Sequence, residues 1–556
     1  MTDPLSSPAA GDLPVQLWPD AFAARYREKG YWRGLSMGDV LRRSARNWPH
    51  NLAVVDGEQR ITYADLLARS EQVARGFLAQ GLVPGDRVVV QMPNVAAFFP
   101  AVFGLFLAGL IPVFALPAHR ETELVHFATR SGARGLVTVD RFEGYDFAAL
   151  AGRVQADAPG LMHVFVSGQA GDFIGFDSLG VGLTAPENLP QPDPGAVAFL
   201  QISGGSTGLS KLIPRTHDDY IYSFSASAPI CGLTPDSVYM AALPVAHNFP
   251  MSSPGVFGTL WAGARVVLCP NPRPDIALAL IAREKVTITG VVPPLALMWM
   301  QAAERGGHDL TSLQVLQVGG AKFIPEAAAR VRPALGCQLQ QVFGMAEGLV
   351  NYTRLDDPED LITGTQGRPI SPDDEVLVLD DDGNPVEDGQ PGHLLTRGPY
   401  TIRAYYAEPA ANQRSFTPDG FYRTGDIVKR LPGGYLVVQG RAGDHINRAG
   451  EKISAEEIED HLLAHPDVFD AAVVSIPDPY LGERSCAFVI LRDGLETPPK
   501  APQIKAFIRS RGIADFKVPD QVVFTPGFEV TAVGKVSRKA LRAALRQNFL
   551  QQDQNT

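Results

Sequence analysis

The chain is poor in cysteine, in basic runs and in membrane-length segments, and each shortage excludes a class. Its four cysteines, Cys231, Cys269, Cys337 and Cys486, are scattered among 556 residues, with no CxxC pair and no Cys/His cluster. Neither a disulfide framework nor a zinc site is indicated, and a reduced, cytoplasmic compartment fits. No long basic run is present and the net charge is −11, so nucleic acid is not an expected partner. The start, MTDPLSSPAAGDLP, lacks the basic and apolar regions of a signal peptide. One segment, Gln91 to Ala118, carries no charge and is long enough to span a bilayer. Pro93, Pro100, Pro112 and Pro117 punctuate it, with Gly104 and Gly109, and no basic cluster flanks it. It reads as a buried helix over 96–108 running into a buried strand over 111–116, not as a membrane span.

A chain of this length is expected to form two or more domains. Residues 1–13 read as a disordered tail. From about 36 to 340, apolar strands (87–91, 136–139, 264–268, 288–292, 315–318) alternate with helical patterns (66–80, 276–284). This predicts an α/β fold of layered, largely parallel sheets. Between 370 and 440, short strands separated by Asp382-Gly383-Asn384-Pro385, Pro391-Gly392 and Pro432-Gly433-Gly434 predict a barrel-like β piece. A boundary is expected at Gly440 to Asp444. A large N-terminal domain would then cover 14–441 and a small, mobile α+β domain 442–556. Ser454 and Glu457 have capping-box spacing at the first helix of the small domain, and a basic helix is expected at its end.

Residues 200–217, LQISGGSTGLSKLIPRTH, are the most informative. An apolar strand opens into Ser203-Gly204-Gly205-Ser206-Thr207-Gly208 and closes on Lys211. Glycines let the backbone turn its N–H groups toward a ligand, hydroxyls add donors and Lys211 adds charge, which suits a polyphosphate. A plain Gly/Ser linker is the bland alternative. The spacing is not that of the P-loop. Four further stretches accompany it: Phe343-Gly344-Met345-Ala346-Glu347, Tyr422-Arg423-Thr424-Gly425-Asp426, Gly440-Arg441 and Gly534-Lys535-Val536.

In this order and spacing the five resemble the ANL superfamily of adenylate-forming enzymes, over nearly the whole chain. The resemblance implies ATP as substrate and Mg²⁺ as cofactor. Ser203 to Lys211 would cradle the pyrophosphate part, Glu347 would hold Mg²⁺, and Asp426 and Arg441 would contact the ribose. Adenine would pack between Gly320-Ala321 and Val342-Phe343, next to Gly344. Lys535 would bridge carboxylate and α-phosphate, and with Glu347 and His247 it completes the candidate catalytic set.

His247-Asn248-Phe249-Pro250-Met251-Ser252-Ser253-Pro254 resembles the aryl-acid branch, in particular the 2,3-dihydroxybenzoate–AMP ligases of catecholate siderophore assembly. By that resemblance Asn248 bonds the ring 2-hydroxyl, Phe249 packs on the ring and Ser253 reaches the 3-hydroxyl. Salicylate-activating relatives usually have Cys there. A phosphopantetheinylated aryl carrier protein, on a separate chain, is the implied acceptor. A salicylate or benzoate ligase, with coenzyme A as possible acceptor, remains open. So does a non-catalytic adenylate-binding regulator, against which Lys211, Glu347, Asp426 and Lys535 together argue. Gly443 departs from the usual Asp or Lys at the hinge, Ala449-Gly450-Glu451 from Gly-Gly-Glu, and Phe528-Glu529-Val530-Thr531 from Leu-Pro-Leu-Thr. These departures bear on domain rotation, not on a catalytic group.

Overall fold

The computed structural model describes residues 13–183, 188–203, 210–320, 322–323, 325–380, 382–441, 445–492, 494–495 and 497–527. Residues 1–12 of the expected disordered start (1–13), hinge residue Gly443 and the expected C-terminal basic helix fall outside them. The fold is α/β, with two units, one built mainly from residues up to 440 and the other mainly from Arg441 onward.

The larger unit contains two sheets with parallel interiors. In the first, Leu52–Asp56, Arg265–Leu268, Val238–Ala241, Ile288–Val291, Val315–Gly319 and Gln338–Met345 lie side by side in parallel. Antiparallel Gln59–Thr62 closes one edge, and Gly348–Tyr352 with Arg368–Pro369 the other. In the second, Val197–Ile202, Ile111–Ala115, Arg87–Gln91, Gly135–Val139, His163–Ser167 and Ile174–Gly175 run parallel. Antiparallel Leu212–Thr216 forms its edge. Strands covered on both faces need continuous apolar runs rather than alternation. Arg87–Gln91, Ile111–Ala115 and Gly135–Val139 are buried at every residue. Leu212–Thr216 contains Pro214, which cannot donate to a ladder, and it occupies an edge, where that is tolerated.

The uncharged segment 91–118 divides into the helix Phe98–Leu107 and the strand Ile111–Ala115, both wholly buried. No helix among the described residues is long and apolar enough to cross a membrane. The strands Glu375–Leu379, Pro391–Arg397, Tyr422–Arg430 and Leu436–Arg441 form a separate four-stranded sheet.

In the smaller unit, Val468–Asp478, Gly482–Leu491, His445–Arg448, Glu451–Ser454 and Gln521–Phe524 form a five-stranded sheet. Ile458 and Leu462 of the helix Ala455–Leu463 pack with Ile504 and Ile508 of Ala501–Ser510 in its core. The carboxylate of Glu457 accepts a hydrogen bond from Lys517 at 2.8 Å, a long-range partner that capping-box spacing does not reveal.

One buried acid ties the four-stranded sheet to the edge of the large one. Tyr400 donates to Asp374 Oδ2 at 2.6 Å, and the Val350 N–H donates to the Tyr400 hydroxyl at 3.2 Å. Asp374 Oδ1 is closed off from solvent, 2.3 Å from where a Cβ on Gly398 would lie. Burial pushes this carboxyl up to about 7, with neighbouring Asp373 adding to the rise. An unfolded aspartate titrates near 4, so between those values the folded chain holds a proton that the unfolded chain has lost. The stability this contributes is complete below about pH 4 and is lost as pH rises toward 7. Asp374→Asn carries no such proton. Its stability relative to wild type should rise between pH 5 and pH 8 in urea melts, with a limiting slope of about 1.4 kcal/mol per pH unit. A difference constant across that range would refute the assignment.

Candidate active site

The candidate adenine residues Gly320, Val342 and Phe343 lie where parallel strands end. Val238–Ala241, Ile288–Val291, Val315–Gly319 and Gln338–Met345 deliver their C-terminal ends to one edge, the usual ligand position in open α/β sheets. The register pairs Gly319 with Val342, so Gly320 and Phe343 leave adjacent strands side by side. Gly320 turns there with φ +85°, a conformation that glycine adopts without strain. Gly344 continues the second strand toward Glu347. Ala321 lies outside the described residues.

The glycine-rich loop springs from an antiparallel neck. The Ser203 N–H donates to the Lys211 carbonyl at 2.9 Å, and the Lys211 N–H donates to Ser203 Oγ at 2.9 Å. Gly204, Gly205, Ser206, Thr207 and Gly208 lie outside the described residues. The Lys211 ammonium sits 5.2 Å from the centre of the Tyr405 ring.

Glu347 occupies the turn between Gln338–Met345 and Gly348–Tyr352 and is 8% exposed. Its carbonyl accepts from the Ile402 N–H at 2.8 Å, and Arg215 donates to the preceding Ala346 carbonyl at 2.8 Å. Tyr405 donates to Glu347 Oε1 at 2.9 Å and lies 3.0 Å from the Tyr422 hydroxyl. Burial raises the Tyr405 phenol far above its ordinary range, which keeps it a donor. Among the described residues no cluster of three His, Cys, Asp or Glu could hold a metal. A lone buried carboxylate nevertheless suits Mg²⁺, which takes one or two protein oxygens and completes its shell with phosphate and water.

Asp426 is buried on Tyr422–Arg430, sharing its inner face with Tyr422 and Thr424. Its N–H donates to Thr424 Oγ1 at 3.0 Å, and that hydroxyl donates to the Leu394 carbonyl. Arg441 ends Leu436–Arg441, and its side chain lies outside the description, as does all of Lys535.

The aryl-acid motif forms the short helix Asn248–Ser252, with His247 as N-cap: its Nδ1 accepts from the Phe249 N–H at 3.3 Å. A ring nitrogen that accepts places the neutral ring's proton on Nε2. Tyr220 donates to Asn248 Oδ1 at 3.0 Å, which turns the amide so that its NH₂ is the group left to donate. Phe249 lies against Gly290 and Gly319; a Cβ on either would meet its ring tip at 3.2 Å. Ser253 is 3% exposed and its N–H donates to the Phe249 carbonyl. Behind Gly290, buried Gln317 donates to Gln340 Oε1 at 3.0 Å.

Tyr220, Tyr405, Gln317, Gly290 and Gly319 are thus site neighbours outside the motif reading, and Tyr422 is one that the motif contains without assigning it a role. The two glycines lie inside or at the end of strands otherwise made largely of β-branched and apolar residues, a pattern that could have marked a close approach. A Cβ on Gly319 would also lie 2.8 Å from the Val342 carbonyl, so backbone must shift. Gly319→Ala is therefore expected to cost about 1–3 kcal/mol of stability and to impair aryl-acid use more than ATP use. Denaturant melts and Michaelis constants for both substrates check this; an unaltered aryl-acid constant counts against the pocket.

The chain matches the family described as AMP-binding enzyme over residues 41–406, and AMP-binding enzyme C-terminal domain over 457–535. It is 55% identical over 533 residues to the 2,3-dihydroxybenzoate-AMP ligase of Bacillus subtilis, covering 96% of this chain and 98% of that one. It is 46% identical over 529 residues to the salicyl-AMP ligase / salicyl-S-ArCP synthetase of Mycobacterium tuberculosis, covering 94% and 93%. The apo structure of Mycobacterium smegmatis MbtA matches with a TM-score of 0.75 and 46% identity, covering 95% of this chain and 98% of that one. Fold, motif order and these likenesses agree: the chain belongs to the AMP-binding enzymes, the adenylate-forming ANL superfamily.

Proposed function

We propose that the protein is a cytoplasmic ligase that activates 2,3-dihydroxybenzoate with ATP and passes the aryl group to the phosphopantetheine thiol of an aryl carrier protein, in catecholate siderophore biosynthesis. The observation that supports this best is the aryl-acid motif, whose Met251 sulfur accepts from Gln201 on the strand that enters the glycine-rich loop, with the Asn248 amide oriented by Tyr220. An ortho-hydroxy acid offers that NH₂ an oxygen to accept its bond. In the first half-reaction a carboxylate oxygen attacks the α-phosphorus of ATP, the bond to the β-phosphate oxygen breaks, and pyrophosphate leaves. In the second the thiolate attacks the acyl carbon and AMP departs.

The chain's own groups would bind and neutralise. Ser203, Lys211 and the loop between them would hold the phosphates, Asp426 and Arg441 the ribose, and the Gly320 and Phe343 edges the adenine. Lys535 would place its positive charge between the carboxylate and the α-phosphate. Glu347 would hold Mg²⁺, which when bound offsets charge on the phosphate oxygens. His247, as N-cap, would fix the helix that presents Asn248 and Phe249. Salicylate activation is the second reading, supported by the likeness to the salicyl-AMP ligase.

ATP–pyrophosphate exchange with both acids separates the readings. Wild type is expected to prefer dihydroxybenzoate. Ser253→Cys keeps the volume close and weakens one neutral hydrogen bond, so dihydroxybenzoate should lose about fivefold in efficiency while salicylate holds or gains. Asn248→Ala should impair both, since both carry the 2-hydroxyl. A wild-type preference for salicylate, or an unmoved ratio in Ser253→Cys, rejects the substrate assignment.

A further inference from the structure

We propose that Tyr405 and Tyr422 are a positioning pair that aims the Glu347 carboxylate at the metal and steadies Lys211 beside it; this rests on the function proposed above. Glu347, Tyr405 and Tyr422 are far apart in sequence, yet their polar atoms form one chain. Tyr405 donates to Glu347 Oε1 at 2.9 Å, and the two phenol oxygens are 3.0 Å apart. A phenol has one proton and an ionised carboxylate can only accept. The proton of Tyr405 is committed to Glu347, so at the second contact Tyr405 accepts and Tyr422 donates. The direction of the chain is fixed: Tyr422 to Tyr405 to Glu347. With Oε1 taken by Tyr405, the carboxylate offers Oε2 to a cation, a one-oxygen ligand suited to Mg²⁺.

The ring of Tyr405 has a second task. The Lys211 ammonium lies 5.2 Å from its centre, within cation–π range. One side chain thus touches both the candidate metal carboxylate and the candidate phosphate lysine. Tyr405 is itself clamped: its N–H donates to Asn412 Oδ1 at 2.8 Å, and Asn412 Nδ2 donates to its carbonyl at 3.1 Å. Phe416 packs against both rings, with centroids 5.9 Å and 5.3 Å away. Tyr422 is anchored on the strand that carries Asp426, on the same face.

The test is calorimetric binding of a non-hydrolysable ATP analogue across a Mg²⁺ titration and without metal, with AMP as a further probe. Tyr405→Phe keeps the ring and removes the hydroxyl. It should need about tenfold more Mg²⁺ to support analogue binding, the scale of one charge-assisted hydrogen bond, with metal-free and AMP affinities unchanged. Tyr422→Phe should shift the requirement by only about two- to threefold, because Tyr405 still donates. The double variant should be no worse than Tyr405→Phe, since Tyr422 acts only through Tyr405. An unmoved Mg²⁺ requirement, equal weakening with and without metal, or additive effects would overturn the pair. Glu347→Gln tells the two failures apart. If it too leaves the Mg²⁺ requirement unmoved, the metal role of Glu347 is wrong. If it raises the requirement while Tyr405→Phe does not, the tyrosine pair alone is wrong.

Discussion

The guanidinium of Arg215 sits where three parts of the site meet, and their arrangement depends on it. Arg215 lies on the edge strand that follows the glycine-rich loop. It donates to the Ala346 carbonyl at 2.8 Å, just before Glu347, and to the Tyr400 carbonyl at 3.1 Å, shortly before Tyr405. Its charge is met by Asp219 at 2.7 Å, with both side chains 1% exposed or less. Asp219 is satisfied in turn by the N–H and hydroxyl of Thr216, capping the helix His217–Ile230. Such a pair adds little net stability over apolar residues of the same shape, because desolvation offsets attraction. Breaking it is another matter: the partner left buried and uncompensated costs about 3–5 kcal/mol. The ion pair therefore specifies an arrangement more than it strengthens the fold. It fixes the Lys211 strand, the Glu347 turn and the Tyr405 segment to one another by donating to backbone carbonyls that no side-chain substitution can remove.

This shows which parts of the molecule could be read from sequence. The strands at 87–91, 111–115 and 315–319 were legible because burial on both faces demands an unbroken apolar run, which is a local property. Of the glycine-rich loop, the described residues show only its neck at Ser203 and Lys211, and the Asn248 motif was read from its resemblance to the aryl-acid branch rather than from a local physical mark. Long-range side-chain pairs leave none. Nothing within reach of Tyr405 in the sequence announces Glu347, nor does Asn248 announce Tyr220. The same limit explains Glu457. Its spacing from Ser454, whose side chain lies outside the described residues, says nothing of the bond its carboxylate accepts from Lys517 on a distant segment. Arg215 and Pro214 argue against a strand by propensity, and the strand survives because an edge needs only half the ladder and the guanidinium finds partners across the site.

The aryl pocket carries a constraint of its own. Phe249 directs its ring tip at Gly290 and Gly319, where a Cβ on either would lie 3.2 Å from it, so its close packing depends on what the strands omit. Packing of this kind fixes the plane available to an aromatic ring but says little about its substituents. These are left to Asn248 and Ser253, whose contributions differ in kind. The Asn248 amide is held by Tyr220, so on the proposed function it would present its NH₂ at little further ordering cost, and a bound ring lacking the ortho oxygen would leave that donor unpaired. Ser253, on the same proposal, would contribute a single neutral hydroxyl, so what it adds at the 3-position is one neutral hydrogen bond.

That asymmetry predicts a sharp requirement for the ortho-hydroxyl and a shallow preference at the neighbouring carbon. An unpaired buried donor costs about 1–3 kcal/mol, whereas losing one neutral hydrogen bond costs about 1 kcal/mol, or fivefold. A preference that shallow can be reversed by a single substitution without disturbing the fold. Similar chains can then divide between the two acids, and the relatives do: a dihydroxybenzoate ligase at 55% identity and a salicyl ligase at 46% share nearly the full length of this chain. Overall identity is therefore a weak guide to the acid. On the proposed function, residue 253 would carry the discrimination, while Asn248, held by Tyr220, would set the requirement for an ortho-hydroxy acid.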